Sequence, residues 1–255
     1  LTHSVSHNLI LELNDNDLII VVVNKDNLVI DLKSYPLIDT KILKDVLFKL
    51  PDIYSDISLL VRKKQFITIP ESFYGNDLTK MYTLSYNLVR EDKLILDKTE
   101  YNIGVVFSAD TAMLDLILYK FPRVKIHHEA TIIINKIFLE IGLKQPRILI
   151  SINDDSLLIF AIIDGKLALC NIYSVKSNDD IFYFVMLTME QLHFTSTETE
   201  LVILGEPPHR SDIFDLFKNY IKEINIWLEN VNLSDPLPNK HIISQSFALQ
   251  NVLCE

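Results

Sequence analysis

The groups in this chain best placed for chemistry are carboxylates and amides gathered at two turns. Asn14-Asp15-Asn16-Asp17 and Asn153-Asp154-Asp155-Ser156 each join one short apolar run to the next, and Asn and Asp favour such bends. Carboxylates collected at a turn can hold a divalent cation, which can in turn bridge to phosphates. Without a cation the same carboxylates repel a phosphate. A triphosphate is also normally embraced by backbone amides, and glycine is what lets the main chain come that close. Gly75, Gly104, Gly142, Gly165 and Gly205 are the only five glycines in 255 residues, and they are too scattered for any two to form a phosphate-cradling loop.

Other reactive side chains read as structural. His127-His128-Glu129 sets two imidazoles beside a carboxylate, but neighbours in a strand point to opposite faces, so the run reads as a strand-to-helix junction and not as a metal site. His3 and His7 have helical spacing in a polar terminus with no capped apolar stripe, where fraying is expected. Ser151 and Ser156 lack a Gly-x-Ser-x-Gly elbow, and no nucleophile is nominated. Cys170 and Cys254 are far apart and make neither a disulfide framework nor a metal quartet, which fits a reducing compartment. The formal charge of −10, from 34 acidic and 24 basic residues, opposes binding to a phosphate backbone. Arg62-Lys63-Lys64 lies between apolar segments and reads as a solvated turn. Apolar runs such as residues 157–163 fall well short of the roughly 20 residues of a membrane helix, and nothing at the amino end reads as a signal peptide. The expectation is a cytoplasmic protein with no membrane insertion, no nucleic-acid partner, no metal and no cofactor.

The elements that must position the two turns recur in the same order. In the second half, strands over 148–152, 157–163 and 167–173 are joined by the Asn153-Asp154-Asp155 turn and by the hairpin dipeptide Asp164-Gly165. Asn178 is placed to cap a helix over 179–193 with Asp179 and Asp180 in its first turn and Ile181, Val185, Met189 and Leu192 inward. A strand at 201–204, a helix capped by Ser211 with Ile213, Phe217, Tyr220 and Ile224 on one face, and a strand at 226–228 complete the order βββαβαβ. The first half begins alike, with strands at 9–13, 18–23 and 28–32, a helix opened by Asp39 or Thr40 and closed by Pro51, and a strand at 57–61. Residues 66–100 have no counterpart and read as an insertion with a helix over 77–89 and an edge strand over 93–97. A strand at 103–107, a helix capped by Ser108 with Met113, Leu116, Ile117 and Phe121 inward, a strand at 124–126 and a helix through Ile141 follow. The division is therefore 1–143 and 144–255.

Two consecutive βββαβα units resemble the actin-like ATPase fold, an α/β architecture of two ribonuclease-H-like subdomains with mixed sheets flanked by helices. In detail the chain resembles the DUF3822 family of uncharacterised Bacteroidetes proteins. The likeness lies in the helix Asp180-Ile181-Phe182-Tyr183-Phe184 to Glu190-Gln191-Leu192, in Leu201-Val202-Ile203-Leu204-Gly205-Glu206, and in the ending Phe247-Ala248-Leu249 to Leu253-Cys254-Glu255. That family implies the fold and no established activity. Actin-like ATPases hold nucleotide between their halves with an Asp-x-Gly-Thr-like turn in each first hairpin and a Gly-Gly loop against the adenosine. By that resemblance Asp15, Asp154, Asp155 and Gly205 line a degenerate nucleotide cleft, because both turns are glycine-free and Leu204-Gly205-Glu206-Pro207-Pro208 keeps one glycine. Ribonuclease-H-like sheets also carry two-metal nucleases, but the charge and the lack of a basic, aromatic-interleaved stripe argue against that class here. The resulting expectation is a pseudo-ATPase with no catalytic residue that binds a protein or peptide through the cleft between halves or an exposed edge, similar in outline to cytoplasmic assembly proteins of pili and secretion systems. The alternative is a weak ATP-binding conformational switch. Phe182, Tyr183 and Phe184 cannot all share one narrow helix face; a wide stripe packed into the core is the favoured reading, and an exposed member serving as a partner contact is the alternative.

Overall fold

In the computed structural model the described residues are 7–36, 40–89, 92–140, 146–153, 155–207 and 210–254. His3, Asp39, Ile141, Gly142, Asp154 and Pro208 lie outside them, as does the Ser211 side chain. The first half runs β1 (His7–Leu13), β2 (Asp17–Asn24), β3 (Leu28–Pro36), α1 (Thr40–Leu47), β4 (Asp56–Val61), β5 (Phe66–Pro70), α2 (Leu78–Thr83), β6 (Asp92–Lys98), β7 (Ile103–Asp110), α3 (Thr111–Lys120), β8 (Lys125–His128) and α4 (Glu129–Glu140). The remainder runs β9 (Arg147–Ile152), β10 (Ser156–Ile163), β11 (Lys166–Ser174), α5 (Asn178–Gln191), β12 (Glu200–Leu204), α6 (Arg210–Phe217), β13 (Glu223–Trp227), β14 (Asn232–Leu233), α7 (His241–Gln245) and α8 (Phe247–Cys254).

Two compact units result. Unit 1 holds Leu1–Asn135, Asn230–Lys240 and Asn251–Glu255; unit 2 holds Lys136–Glu229 and His241–Gln250. The boundary falls inside α4, and two C-terminal segments return to unit 1, where β14 pairs in parallel with the start of β3.

Each unit is built on the same sheet. Unit 1 has the order β14-β3-β2-β1-β4-β8 and unit 2 the order β11-β10-β9-β12-β13. In both, the second strand is antiparallel to the first and third, while the first, fourth and fifth are parallel. This is a duplicated ribonuclease-H-like fold, the actin-like architecture. Burial follows strand position: every residue of β10 up to Ile162 is buried, as a central strand covered on both faces requires, whereas the edge strand β11 buries none of its residues completely. The β10–β11 turn has Asp164 at φ 48° and Gly165 at φ 74°, the two positive values that match a two-residue hairpin to the twist of its strands.

The three-stranded antiparallel sheet β5-β7-β6 is what unit 1 adds. β7 is its central strand, so the additional layer extends to Asp110 and includes the segment expected to belong to the repeated unit. It packs Ile69, Val106 and the fully buried Tyr82 together. α2 is shorter than the expected 77–89: it ends at Thr83, Leu84 points out at 83% exposure, and Tyr86 and Leu88 pack on the same core from beyond the helix.

Several caps and ends differ from expectation for local reasons. α5 starts one residue earlier, because Ser177 and Asp180 form a reciprocal capping box in which the Ser177 hydroxyl accepts from the Asp180 amide at 3.3 Å and the Asp180 carboxylate accepts from the Ser177 amide at 3.0 Å. The bond from the Lys176 amide at 2.8 Å, joined by those from Ser177, holds the Asp180 carboxyl below its usual pKa. α3 is capped by Asp110, whose carboxylate accepts from the Met113 amide at 2.8 Å; Ser108 is buried within β7 instead. Leu114, Ile117 and Phe121 are the buried residues there, while Met113 and Leu116 are half-buried. Ile224 lies on β13 beside Leu201 and not on the preceding helix, which ends at Phe217. His7 is not frayed: it opens β1 opposite Asn24, and its carbonyl accepts from Ser55 at 2.8 Å.

Candidate functional site

In open α/β sheets ligands gather beyond the carboxyl ends of the parallel strands. In unit 1 that end is formed by the β1–β2 turn, the residues after β4 and the β8–α4 junction. The β1–β2 turn is closed by its own asparagine: Asn14 Oδ1 accepts from the amides of Asn16 at 2.8 Å and Asp17 at 2.7 Å, and the Asn14 amide donates to the Asp17 carbonyl at 3.1 Å. Asp15 is exposed at the tip and pairs with Lys63 Nζ at 3.0 Å.

Behind this turn is an ion network that the sequence reading missed. Arg62 is not part of a solvated turn. Its guanidinium, 16% exposed, lies 2.7 Å from Glu12 Oε1 and 3.3 Å from Glu129 Oε2, and both carboxylates are buried. Burial by itself would lower the Arg62 pKa, but the two carboxylates outweigh it and raise it further above the normal range. Burial pushes the Glu129 carboxyl up, with Arg62 opposing and Glu12 adding to the rise. Strand alternation explains the convergence. Glu12 is in register with Leu60, and Leu60 with His127, so Arg62 and Glu129 are each two residues further along on the same face. The available signal was Glu12 inside the run Leu9-Ile10-Leu11-Glu12-Leu13, since a carboxylate in a buried strand needs a cation beside it.

The two histidines at the junction have separate roles. His127 Nδ1 is 3.2 Å from the buried carboxylate of Asp97 on β6, and the other oxygen of that carboxylate accepts from the His128 amide at 2.8 Å. The His128 ring lies in the core between Phe66, at 4.7 Å between centroids, and Phe107, at 5.0 Å. Its Nδ1 accepts from the Ala130 amide at 3.1 Å, so Nε2 carries the proton donated to the Lys63 carbonyl at 2.9 Å. Burial lowers the His128 pKa to about 4, against the opposing pull of the Lys63 carbonyl and Asp97, and the ring is neutral at pH 7. Among the described residues no group of three or more His, Cys, Asp or Glu is arranged to hold a metal ion.

Unit 2 closes the same end by backbone packing. The Asn153 amide donates to the Ser156 carbonyl at 2.9 Å, and the exposed Asp155 accepts from the Val175 amide through its carbonyl at 3.1 Å. Gly205 follows β12, the neighbour of β9 with Leu204 opposite Ser151, so the Asp155 turn and Gly205 share one end of the sheet. Gly205 has φ 77°, and a Cβ there would stand 2.6 Å from the Gln245 carbonyl oxygen. Its amide donates to the Trp227 carbonyl at 2.9 Å, and the next amide, of Glu206, to Ser244 at 2.7 Å. The glycine therefore serves the close approach of the α7–α8 segment. Asp15 belongs to unit 1, and Asp155 and Gly205 to unit 2.

Two repeated sheets of this order, each with its first hairpin turn at the carboxyl end of its parallel strands, define a protein of actin-like ATPase fold. Within that class the chain belongs to the DUF3822 family of proteins of unknown function, whose model matches residues 1–224. It is similar in structure to a protein of actin-like ATPase fold and unknown function from Bacteroides thetaiotaomicron, with 17% identity, coverage of 100% of this chain and 98% of that one, and a TM-score of 0.78. A PilM-PilN type IV pilus biogenesis complex matches at 10% identity, 97% of each chain and a TM-score of 0.57. The cytoplasmic domain of EpsL, an inner membrane component of the type II secretion system of Vibrio cholerae, matches at 12% identity, 98% of this chain and 96% of that one, and a TM-score of 0.50. No curated protein matches the sequence. Among the described residues no helix is long and apolar enough to cross a membrane.

Proposed function

We propose that this chain is a non-catalytic, cytoplasmic member of the actin-like fold that acts as an adaptor, binding a protein or peptide instead of turning over ATP. The observation that carries this reading is the Asn14 side chain, which takes the two turn amides, of Asn16 and Asp17, that a phosphate would need. Two further features support it. Glu12 and Glu129 are already matched by the internal guanidinium of Arg62. The backbone face of Gly205 is taken up by the Gln245 carbonyl. The PilM-PilN type IV pilus biogenesis complex, which holds a chain similar in outline to this one, is consistent with partner binding by such a fold and supports the reading.

Isothermal titration with ATP and Mg²⁺ tests the reading, and the expected result is no measurable heat of binding. Binding that disappears in the Asp154→Ala or Asp155→Ala variant would instead support a weak ATP-binding switch in which the carboxylates act through the cation.

A further inference from the structure

β11 is the outer strand of the unit 2 sheet, and among the described residues no strand pairs with its far side. The equivalent strand of unit 1, β3, is met there by β14 at Leu28 and Val29. The direction of each β11 backbone group follows from the alternation of an antiparallel ladder. The Val175 amide donates to the Asp155 carbonyl at 3.1 Å, and Tyr173, Asn171 and Leu169 continue that alternation opposite Leu157, Ile159 and Ala161, so these residues direct their main-chain groups at β10. Cys170, Ile172 and Ser174 therefore direct theirs outward. The Ile172 amide agrees: its acceptor is Asn171 Oδ1 at 2.9 Å, a neighbouring side chain that holds the place of a strand carbonyl. The register shift between Ala161 and Ile162 disturbs β11 only near its hairpin end, and residues 169–174 run regularly and without proline. An edge of this kind takes another strand.

What lies along the edge identifies that strand. The exposed Lys166 opens β11, with Asp164 in the turn before it, while the other end lies beside the exposed Asp155 and leads into Asp179 and Asp180. Lys176, which acts on the Asp180 carboxylate, offsets only part of that acidic end. The strand therefore suits a copy of itself running the other way. A second β11 laid antiparallel about Cys170, the middle residue of Lys166–Ser174, sets Lys166 against Ser174 at the acidic end of the other copy and Asp164 towards Lys176, and a two-fold axis makes each contact twice. Parallel pairing would instead set Lys166 on Lys166 and one acidic end on the other. Apolar surface continues past the edge: Tyr173 stacks on Phe184 of α5 at 4.2 Å, and Tyr183, 58% exposed, stands edge-on to Phe184 at 5.2 Å. We propose that this chain forms a two-fold dimer in which the β11 strands of two copies pair antiparallel and join their unit 2 sheets into one continuous sheet. The inference is independent of the adaptor reading.

Sedimentation velocity over a concentration series should show a monomer–dimer equilibrium. Ser174→Pro and Ile172→Pro each remove an outward amide that β10 does not use, and each should raise the dimer dissociation constant about tenfold, because the two-fold loses every bond twice. Ser174 is exposed, so an unchanged melting temperature of that variant shows that the sheet is intact. Register is read with a short bis-maleimide in a Cys170→Ser/Cys254→Ser background. Lys166→Cys and Ser174→Cys chains should cross-link when mixed and neither by itself, since antiparallel pairing keeps like positions at opposite ends of the strand. A monomer throughout the series, a dimer indifferent to both prolines, or Lys166→Cys chains cross-linking to one another overturns the inference. So does a monomeric chain that captures an extended peptide from a displayed random library and loses it on Ile172→Pro, an outcome that gives the edge to a partner's strand.

Discussion

The carboxyl ends of the parallel strands in the two sheets have the same strand order and are closed by different physics. In unit 1 the closure is ionic, with Arg62 between Glu12 and Glu129 and with Asp97 against the two histidines. In unit 2 it is steric, with main chain from α7 and α8 laid against a glycine at φ 77°. A duplicated topology therefore does not dictate how its repeated end is filled. The ionic end depends on partners that must all be present, and the steric end on one missing Cβ.

That contrast predicts an ordered set of losses. The largest belongs to Arg62→Met, which leaves two buried carboxylates without their cation and should cost about 3–5 kcal/mol in urea unfolding. Combining it with Glu12→Gln and Glu129→Gln should recover a substantial part, and an equal or larger loss in the triple variant would show that the charges are not what matters. Next comes acid sensitivity. The His128 pKa is about 4 in the folded chain against 6.5 for the free side chain, so between these values the unfolded state binds more protons. Stability from this group is complete above pH 6.5 and is lost as pH falls towards 4, by about 3 kcal/mol. Glu129, with its pKa raised, has the opposite sign and weakens the fold as pH rises through its folded value. Comparing urea midpoints of wild type and His128→Gln across pH 7 to 4 isolates the histidine, and parallel curves would remove it as the cause.

For unit 2, Gly205→Ala should cost about 2 kcal/mol by combining a left-handed backbone with a Cβ against the Gln245 carbonyl. This loss should be nearly independent of pH, since no ionisable group is involved; a steep pH dependence would break the distinction between the two ends. The smallest effect is expected for Asn14→Ala, about 1 kcal/mol for two side-chain bonds to turn amides, one of them exposed. Its melting temperature should fall slightly, and an unchanged melting temperature would show that the two bonds do not hold the turn.

The repeated order of elements was legible because apolar periodicity and turn residues are local signals. Leu157 to Ile163, Asp164-Gly165 and the stripe Ile181, Val185, Met189 each declare their structure within a few residues. Of Phe182, Tyr183 and Phe184, the first and last pack against the core as a wide stripe would have them, and Tyr183 stands outside at 58% exposure. Arg62-Lys63-Lys64 was not legible as three separate roles. Lys63 reaches the exposed Asp15, whereas Arg62 turns in towards Glu12, fifty residues earlier, and Glu129, far beyond. Likewise, Ile103 to Phe107 looks like any apolar strand until pairing sets it between β5 and β6.

By itself the sequence determined that two similar α/β units would form, that their first turns would lack glycine and that the chain would be acidic, because these are properties of composition and of spacing along the chain. Only the tertiary structure decided which charges are buried together, which glycine faces another backbone and which helix faces are left uncovered. Those outcomes depend on desolvation and contact between residues remote in sequence, and such energies exist only once the strands have been brought into register.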